Sequence, residues 1–257
     1  MRRRLRFVLT FSNPTSRALQ QQRFWCYLPA AETATQRLVD VRVSMPHNLQ
    51  TDAMRHSVLA LTFDEFPALA QKIVSVEVDV DLSAEPRQEP LPDPQVWLGA
   101  ERYIEVDDPL VRTLAAELDR TSPWQTAQGI YRWVADNIAY AGYISDDLGA
   151  ARALLDRRGD CTEFADLAVA LARANGIPAR MMGGFVTNRD AAPRPADYHN
   201  WAEFHLDGAW RLVDAQKQHW LTPAADYVAF RIYRDADLNP IGRAHRYRID
   251  GGVVLSL

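Results

Sequence analysis

The sequence predicts an α+β protein: an amino-terminal antiparallel β-sandwich of immunoglobulin-like type, then helices packed on an antiparallel sheet. Three observations carry that prediction. Residues 1–85 repeat short runs rich in Val, Phe and Leu; a proline-dense stretch follows; and beyond it the apolar period lengthens to that of helices before strands return.

Five amino-terminal strands are expected: Leu5 to Phe11, Gln22 to Leu28, Arg37 to Met45, Ser57 to Phe63 and Lys72 to Leu82, with Asn13-Pro14, Pro29 and Pro46 among the turn-formers between them. The last is the clearest, because Val74, Val76, Val78, Val80 and Leu82 alternate with Ile73, Ser75, Glu77, Asp79 and Asp81. A period of two with one dry face is the signature of a half-buried antiparallel strand. Pro86, Pro90, Pro92 and Pro94 then favour an extended connector, which divides the chain into a sandwich at 1–85, a linker at 86–97 and a second domain at 98–257. In that second domain helices are expected at Leu110 to Leu118, Ala127 to Ile138 and Thr162 to Asn175, with Ser122-Pro123 read as a break between the first two. Phe164, Leu167, Ala168 and Leu171 share one face of the third, and Gly176 with Pro178 ends it. Strands follow at Arg180 to Val186, Asn200 to Leu206 and Trp210 to Ala215.

Composition narrows the function. The 257 residues are 47% hydrophobic and 24% charged with a net charge of −4, unlike the basic footprint of a nucleic-acid binder. Arg2-Arg3-Arg4-Leu5-Arg6 precedes an apolar run of only Phe7-Val8-Leu9, too short for a secretory signal, and no segment reaches the ~20 apolar residues that cross a bilayer. A cytoplasmic protein with neither a nucleic-acid nor a membrane partner is the expectation. The two cysteines, Cys26 and Cys161, fit no metal or disulfide spacing, so neither a metal nor a cofactor is expected. Cys26, inside Phe24-Trp25-Cys26-Tyr27-Leu28, reads as a packed core residue.

Cys161 reads differently. Gly159-Asp160-Cys161-Thr162-Glu163-Phe164 places it where a loop enters a helix. The unpaired N–H groups and positive dipole end there favour a thiolate and could hold an oxyanion. Farther on, His199-Asn200-Trp201-Ala202-Glu203-Phe204-His205-Leu206 and Ala209-Trp210-Arg211-Leu212-Val213-Asp214 flank Asp207-Gly208, a strong signal for a two-residue hairpin. If Leu206 faces Ala209, then Trp201 lies opposite Asp214 and His199 opposite Gln216, all on one face. His199 and Asp214 become diagonal neighbours, about 7–8 Å apart or less at Cβ, within reach of an imidazole–carboxylate contact. Nucleophile, base and orienting acid thus occur in the order Cys, His, Asp.

These blocks, together with Gly176-Ile177-Pro178-Ala179-Arg180 and Tyr198-His199, resemble the core of the transglutaminase-like superfamily, from about Tyr131 to Gln216. The resemblance implies a papain-like core with Cys161 as nucleophile, His199 as base and Asp214 as orienting carboxylate. Asn200 stands where Ala is frequent in the family, and Ala215 where Pro often follows the Asp. A further aromatic or polar side chain completes the oxyanion hole in many members, and Tyr140, Tyr143 and Trp133 are available, with Trp133 better suited to core packing. Trp201 and Gln216 are further substrate-binding candidates. The implied chemistry is acyl transfer through a thioacyl-enzyme on a peptide, protein or small acyl substrate. Hydrolysis of a peptide or other amide bond leads, and amide formation by a transglutaminase or a thioester-to-amine synthase is the alternative. A non-catalytic binding or scaffold role for the fold is a reading of another class.

Overall fold

A computed structural model describes residues 1–256. Six strands come first: β1 (Arg2–Ser12), β2 (Leu19–Leu28), β3 (Gln36–Val43), β4 (Asn48–Thr51), β5 (Ser57–Phe66) and β6 (Gln71–Leu82). Then follow α1 (Pro109–Leu118), α2 (Pro123–Asn137), β7 (Ala139–Tyr140), α3 (Ala150–Asp156), β8 (Arg158–Gly159) and α4 (Cys161–Ala174). The chain continues through β9 (Ala179–Val186), β10 (Tyr198–Leu206), β11 (Ala209–Asp214), β12 (His219–Trp220) and β13 (Tyr227–Ile232), and ends with β14 (Tyr247–Asp250) and β15 (Val254–Ser256).

The first unit is two facing antiparallel sheets, ordered β15-β1-β6-β3 and β14-β2-β5-β4. The alternation in β6 is realised: Val74, Val76, Val78, Val80 and Leu82 are all buried against Phe11, Phe24 and Leu59. Its outward face is not simply solvated, as the sequence suggests. Asp79 is covered by Arg4 at 2.7 Å and Arg42 at 3.0 Å, and hydrogen bonds from Arg4 hold its carboxyl down at about 2. The last two strands differ from the expected division of the chain. Placed with the second domain by sequence, 247–256 returns to the first, where β14 pairs with β2 and β15 with β1.

The second unit sets α4 at its centre. Helices α1, α2 and α3 pack on it, and its remaining side lies on the sheet β12-β11-β10-β9-β13. Every residue of α4 from Thr162 to Arg173 is buried, as expected of a helix enclosed on all sides. Ser122-Pro123 is the start of α2 rather than a gap before it: Ser122 caps the Gln125 N–H and Pro123 takes the first helical position, where a missing N–H costs nothing.

Asp166 is the one acidic side chain on α4 without a partner on Oδ2, and its burial raises its carboxyl well above the usual range. Folding therefore keeps a proton that the unfolded chain releases near pH 4, and stability from this group falls as pH rises above that value. Asp166→Asn is expected to stabilise the protein by about 1–3 kcal/mol at pH 8, with a smaller gain at pH 5. Thermal melts at the two pH values read this directly; an equal or negative change at pH 8 contradicts it.

Candidate active site

Cys161 is the first residue of α4. Asp160 precedes it as the cap: its Oδ1 accepts the Thr162 N–H at 2.7 Å, while Glu163 Oε2 accepts the Asp160 N–H at 2.9 Å. The other Asp160 oxygen accepts the Ile144 N–H at 3.0 Å, and Glu163 Oε1 accepts the Leu148 N–H at 3.1 Å, so one capping pair fixes both the helix start and the loop before it. Gly159 has a packing reason: a Cβ there would collide with the Glu163 side chain.

His199 lies on β10. The β10–β11 ladder runs from Ala202↔Val213 to Leu206↔Ala209, the register expected from Asp207-Gly208. At its open end His199 Nε2 meets Asp214 Oδ2 at 2.6 Å, both side chains buried. Burial pushes the Asp214 carboxyl up, but the His199 hydrogen bond and charge, with the Lys217 N–H at 3.0 Å and the Tyr227 hydroxyl at 2.7 Å, outweigh it and hold the group below the usual carboxylate range. An ionised carboxylate only accepts hydrogen bonds, so Nε2 carries the proton and the Nδ1 of a neutral ring is left as an acceptor.

Asn200 brings the two halves together. Its Nδ2 donates to Thr162 Oγ1 at 3.0 Å, and its Oδ1 accepts the Tyr233 hydroxyl at 3.3 Å. The residue that departs from the commoner Ala thus ties the start of α4 to the strand that carries His199. Burial pushes the Cys161 thiol up to about 11; the Asn200 N–H opposes this, while Asp160, Asp214 and Glu163 add to it. The lowered thiol expected from the helix start alone is therefore not found: burial, reinforced by three carboxylates, sets the direction.

The remaining sequence candidates separate. Tyr140, on β7, is 58% exposed and pairs with Gly159 of β8, two residues before Cys161; burial, with the charge of Cys161, opposes its ionisation. Tyr143 is 83% exposed. Trp133 packs against the helical core with the Arg157 guanidinium 4.5 Å from its ring centre. Trp201 is buried, stacked against His199 at 6.3 Å and edge-on to Tyr227 at 5.0 Å, so it walls the imidazole from behind rather than lining an open cleft. Gln216 does not extend the ladder opposite His199, since β11 ends at Asp214; it lies half-buried in the turn leading to β12, while on the other edge of β10 His199 pairs with Gly184 of β9.

Two residues at this site went unread in the sequence. Tyr227 donates to Asp214 Oδ2, so the 2.7 Å contact between its oxygen and His219 Nδ1 must be donated by the imidazole. A chain of donors, His219 to Tyr227 to Asp214, braces the same carboxylate oxygen that His199 binds. His219 stands directly across from Asp214 in the β11–β12 pairing, which a second hairpin after Asp214 would have signalled. Among the described residues, no group of three His, Cys, Asp or Glu side chains is placed to hold a metal ion. No helix is long and apolar enough to cross a membrane.

The chain is similar over its whole length to a structure from Cytophaga hutchinsonii named as a candidate cysteine protease, with 21% identity, 90% of that chain covered and a TM-score of 0.66. It also aligns with the periplasmic domain of TgpA from Pseudomonas aeruginosa at 16% identity, over 79% of this chain and 89% of that one, with a TM-score of 0.46. Among curated proteins none matches. Residues 112–215, the segment that carries Cys161, His199 and Asp214, match the model of the transglutaminase-like superfamily.

Proposed function

We propose that the protein is a cysteine-dependent acyl-transfer enzyme that hydrolyses a peptide or other amide bond through a thioacyl intermediate on Cys161. The observation that carries this reading is the His199 ring: its Nε2 is held on buried Asp214, its Nδ1 is left as an acceptor, and the next residue along the strand, Asn200, is tied to Thr162 beside Cys161. In this reading the Cys161 proton passes to His199 Nδ1 as sulfur attacks the carbonyl carbon. The Thr162 N–H is occupied by Asp160, which leaves the Cys161 N–H in the first turn to meet the developing oxyanion. His199 then gives its proton to the departing amine, the C–N bond breaks, and the acyl group remains on sulfur. Water, deprotonated by the same imidazole, attacks the thioester and restores the thiol.

The test is alkylation of Cys161 by iodoacetamide, followed by peptide mass spectrometry. At pH 7, four units below a thiol value of about 11, an unassisted sulfur is only about one part in 10⁴ thiolate. Proton acceptance by His199 is expected to make wild-type labelling at least tenfold faster than in His199→Ala. Intact mass after exposure to a panel of peptide amides and thioesters is expected to show an acyl adduct that Cys161→Ala lacks. Equal labelling rates and no adduct would replace this reading with a binding role for the fold; an adduct released only by amines would make the enzyme amide-forming.

A further inference from the structure

A cavity of about 620 Å³ lies between the sandwich and the strands β9 and β13. That volume is within the ~300–1,000 Å³ of small-molecule sites. Its walls are apolar side chains from four different strands: Phe7 of β1, Phe24 of β2, Phe185 of β9 and Phe230 of β13. The rings of Phe185 and Phe230 stand 6.1 and 5.8 Å from that of Phe7, so the aromatic wall is continuous. Cys26 also faces this space, and burial pushes its thiol up to about 12.

The charged residues of the lining are all of one sign. Arg6, Arg194 and Arg246 border the cavity, and no carboxylate does. Arg6 is paired with Glu77 at 2.6 Å and Arg194 with Asp197 at 2.8 Å, and both are largely exposed, so the cavity reaches solvent beside them. Arg246 is different. It is half-buried, donates to the Pro195 carbonyl at 2.7 Å and lies 4.7 Å from the Tyr198 ring centre, and among the described residues no carboxylate pairs with it. A guanidinium with donors to spare at the edge of an apolar chamber is complementary to an anionic head on a hydrocarbon chain.

We propose that this cavity binds a long-chain fatty acid, its hydrocarbon between Phe7, Phe24, Phe185 and Phe230 and its carboxylate on Arg246. A peptide fits the walls less well, because its backbone N–H and C=O groups would leave water for a largely apolar surface. A neutral lipid would leave the arginines unused. The site is separate from Cys161 and does not depend on the catalytic reading; binding is measured on Cys161→Ala protein, so failure of one says nothing of the other.

Calorimetric titration with myristate, below its micelle concentration, is expected to give saturable one-to-one binding. Myristyl alcohol is expected to bind at least tenfold more weakly. Arg246→Glu should weaken myristate by tenfold or more, and Arg246→Lys, which keeps the charge, should retain most of the affinity. Cys26→Trp, which fills the chamber, should abolish binding, with thermal melts confirming that each variant folds. Absence of saturable binding overturns the proposal. So does equal affinity for the acid and the alcohol, or unchanged affinity in a folded Cys26→Trp or Arg246→Glu protein. If Cys26→Trp does not fold, the acid–alcohol comparison and the Arg246 pair still decide.

Discussion

Asp214→Asn is expected to lower kcat/KM by about 10³–10⁴-fold while leaving the protein folded, the loss that a misdirected imidazole causes in triads of this kind. The reason lies in what the carboxylate forbids. Ionised, it accepts from His199 Nε2 at 2.6 Å and from the Tyr227 hydroxyl at 2.7 Å on the same oxygen, and Nε2 must then carry the ring proton. An asparagine can present its NH₂ to Nε2 instead. The ring proton would then move to Nδ1, the atom that accepts from Cys161 in the proposed mechanism. Tyr227→Phe tests the bracing on its own: the carboxylate keeps its charge but loses one donor, and a smaller loss in kcat is expected, with little change in KM. The acid limb offers an independent readout. A carboxyl held below its unfolded value adds stability above that value and loses it as pH falls through the folded one. Asp214→Asn should therefore flatten the fall of Tm at acid pH, and an unchanged acid limb would mean that the carboxylate is not held by its partners.

How much of this was legible beforehand follows from how local each signal is. Cys161, Asp160 and Glu163 sit within four residues, and a capping box is a local pattern, so the helix start could be read from the local sequence. His199 and Asp214 are fifteen residues apart, yet a two-residue turn determines the register between them, and the ladder follows it residue for residue. Tyr227 had no such route. Its approach to Asp214 depends on β13 joining the far edge of the sheet beside β9, a pairing that no turn encodes. The carboxy-terminal strands were lost for a related reason. Asp250-Gly251-Gly252 looks like a hairpin turn, but β14 and β15 lie in opposite sheets of the sandwich, and the segment crosses between them. The thiol was misjudged because a helix dipole is visible in a sequence whereas enclosure is not. Arg180 reaches across to β10, which becomes evident only once the ladder pairs it with Glu203.

That pair is where the largest loss of stability is expected. Arg180 and Glu203 face each other across β9 and β10, 2.7 Å apart, with side chains 3% and 8% exposed. The Trp210 ring lies 4.0 Å from the guanidinium, so the charge is enclosed by apolar surface. Removing one member leaves the other buried and uncompensated. Glu203→Ala is expected to cost about 3–5 kcal/mol, a fall in Tm on the order of 10 °C for a chain of this size. Deleting both charges at once has a different consequence. Arg180→Met with Glu203→Leu removes two desolvation costs together, and the double variant is expected to recover most or all of the wild-type Tm. Equal destabilisation in the single and double variants would mean that the side chains stabilise by packing volume rather than by pairing. Recovery would show that the ion pair serves the alignment of β9 with β10. The same two strands hold Gly184 against His199, four residues along the ladder. On that outcome the register that sets His199 against Asp214 is the structural return for burying two charges, and the double variant should be stable but slower.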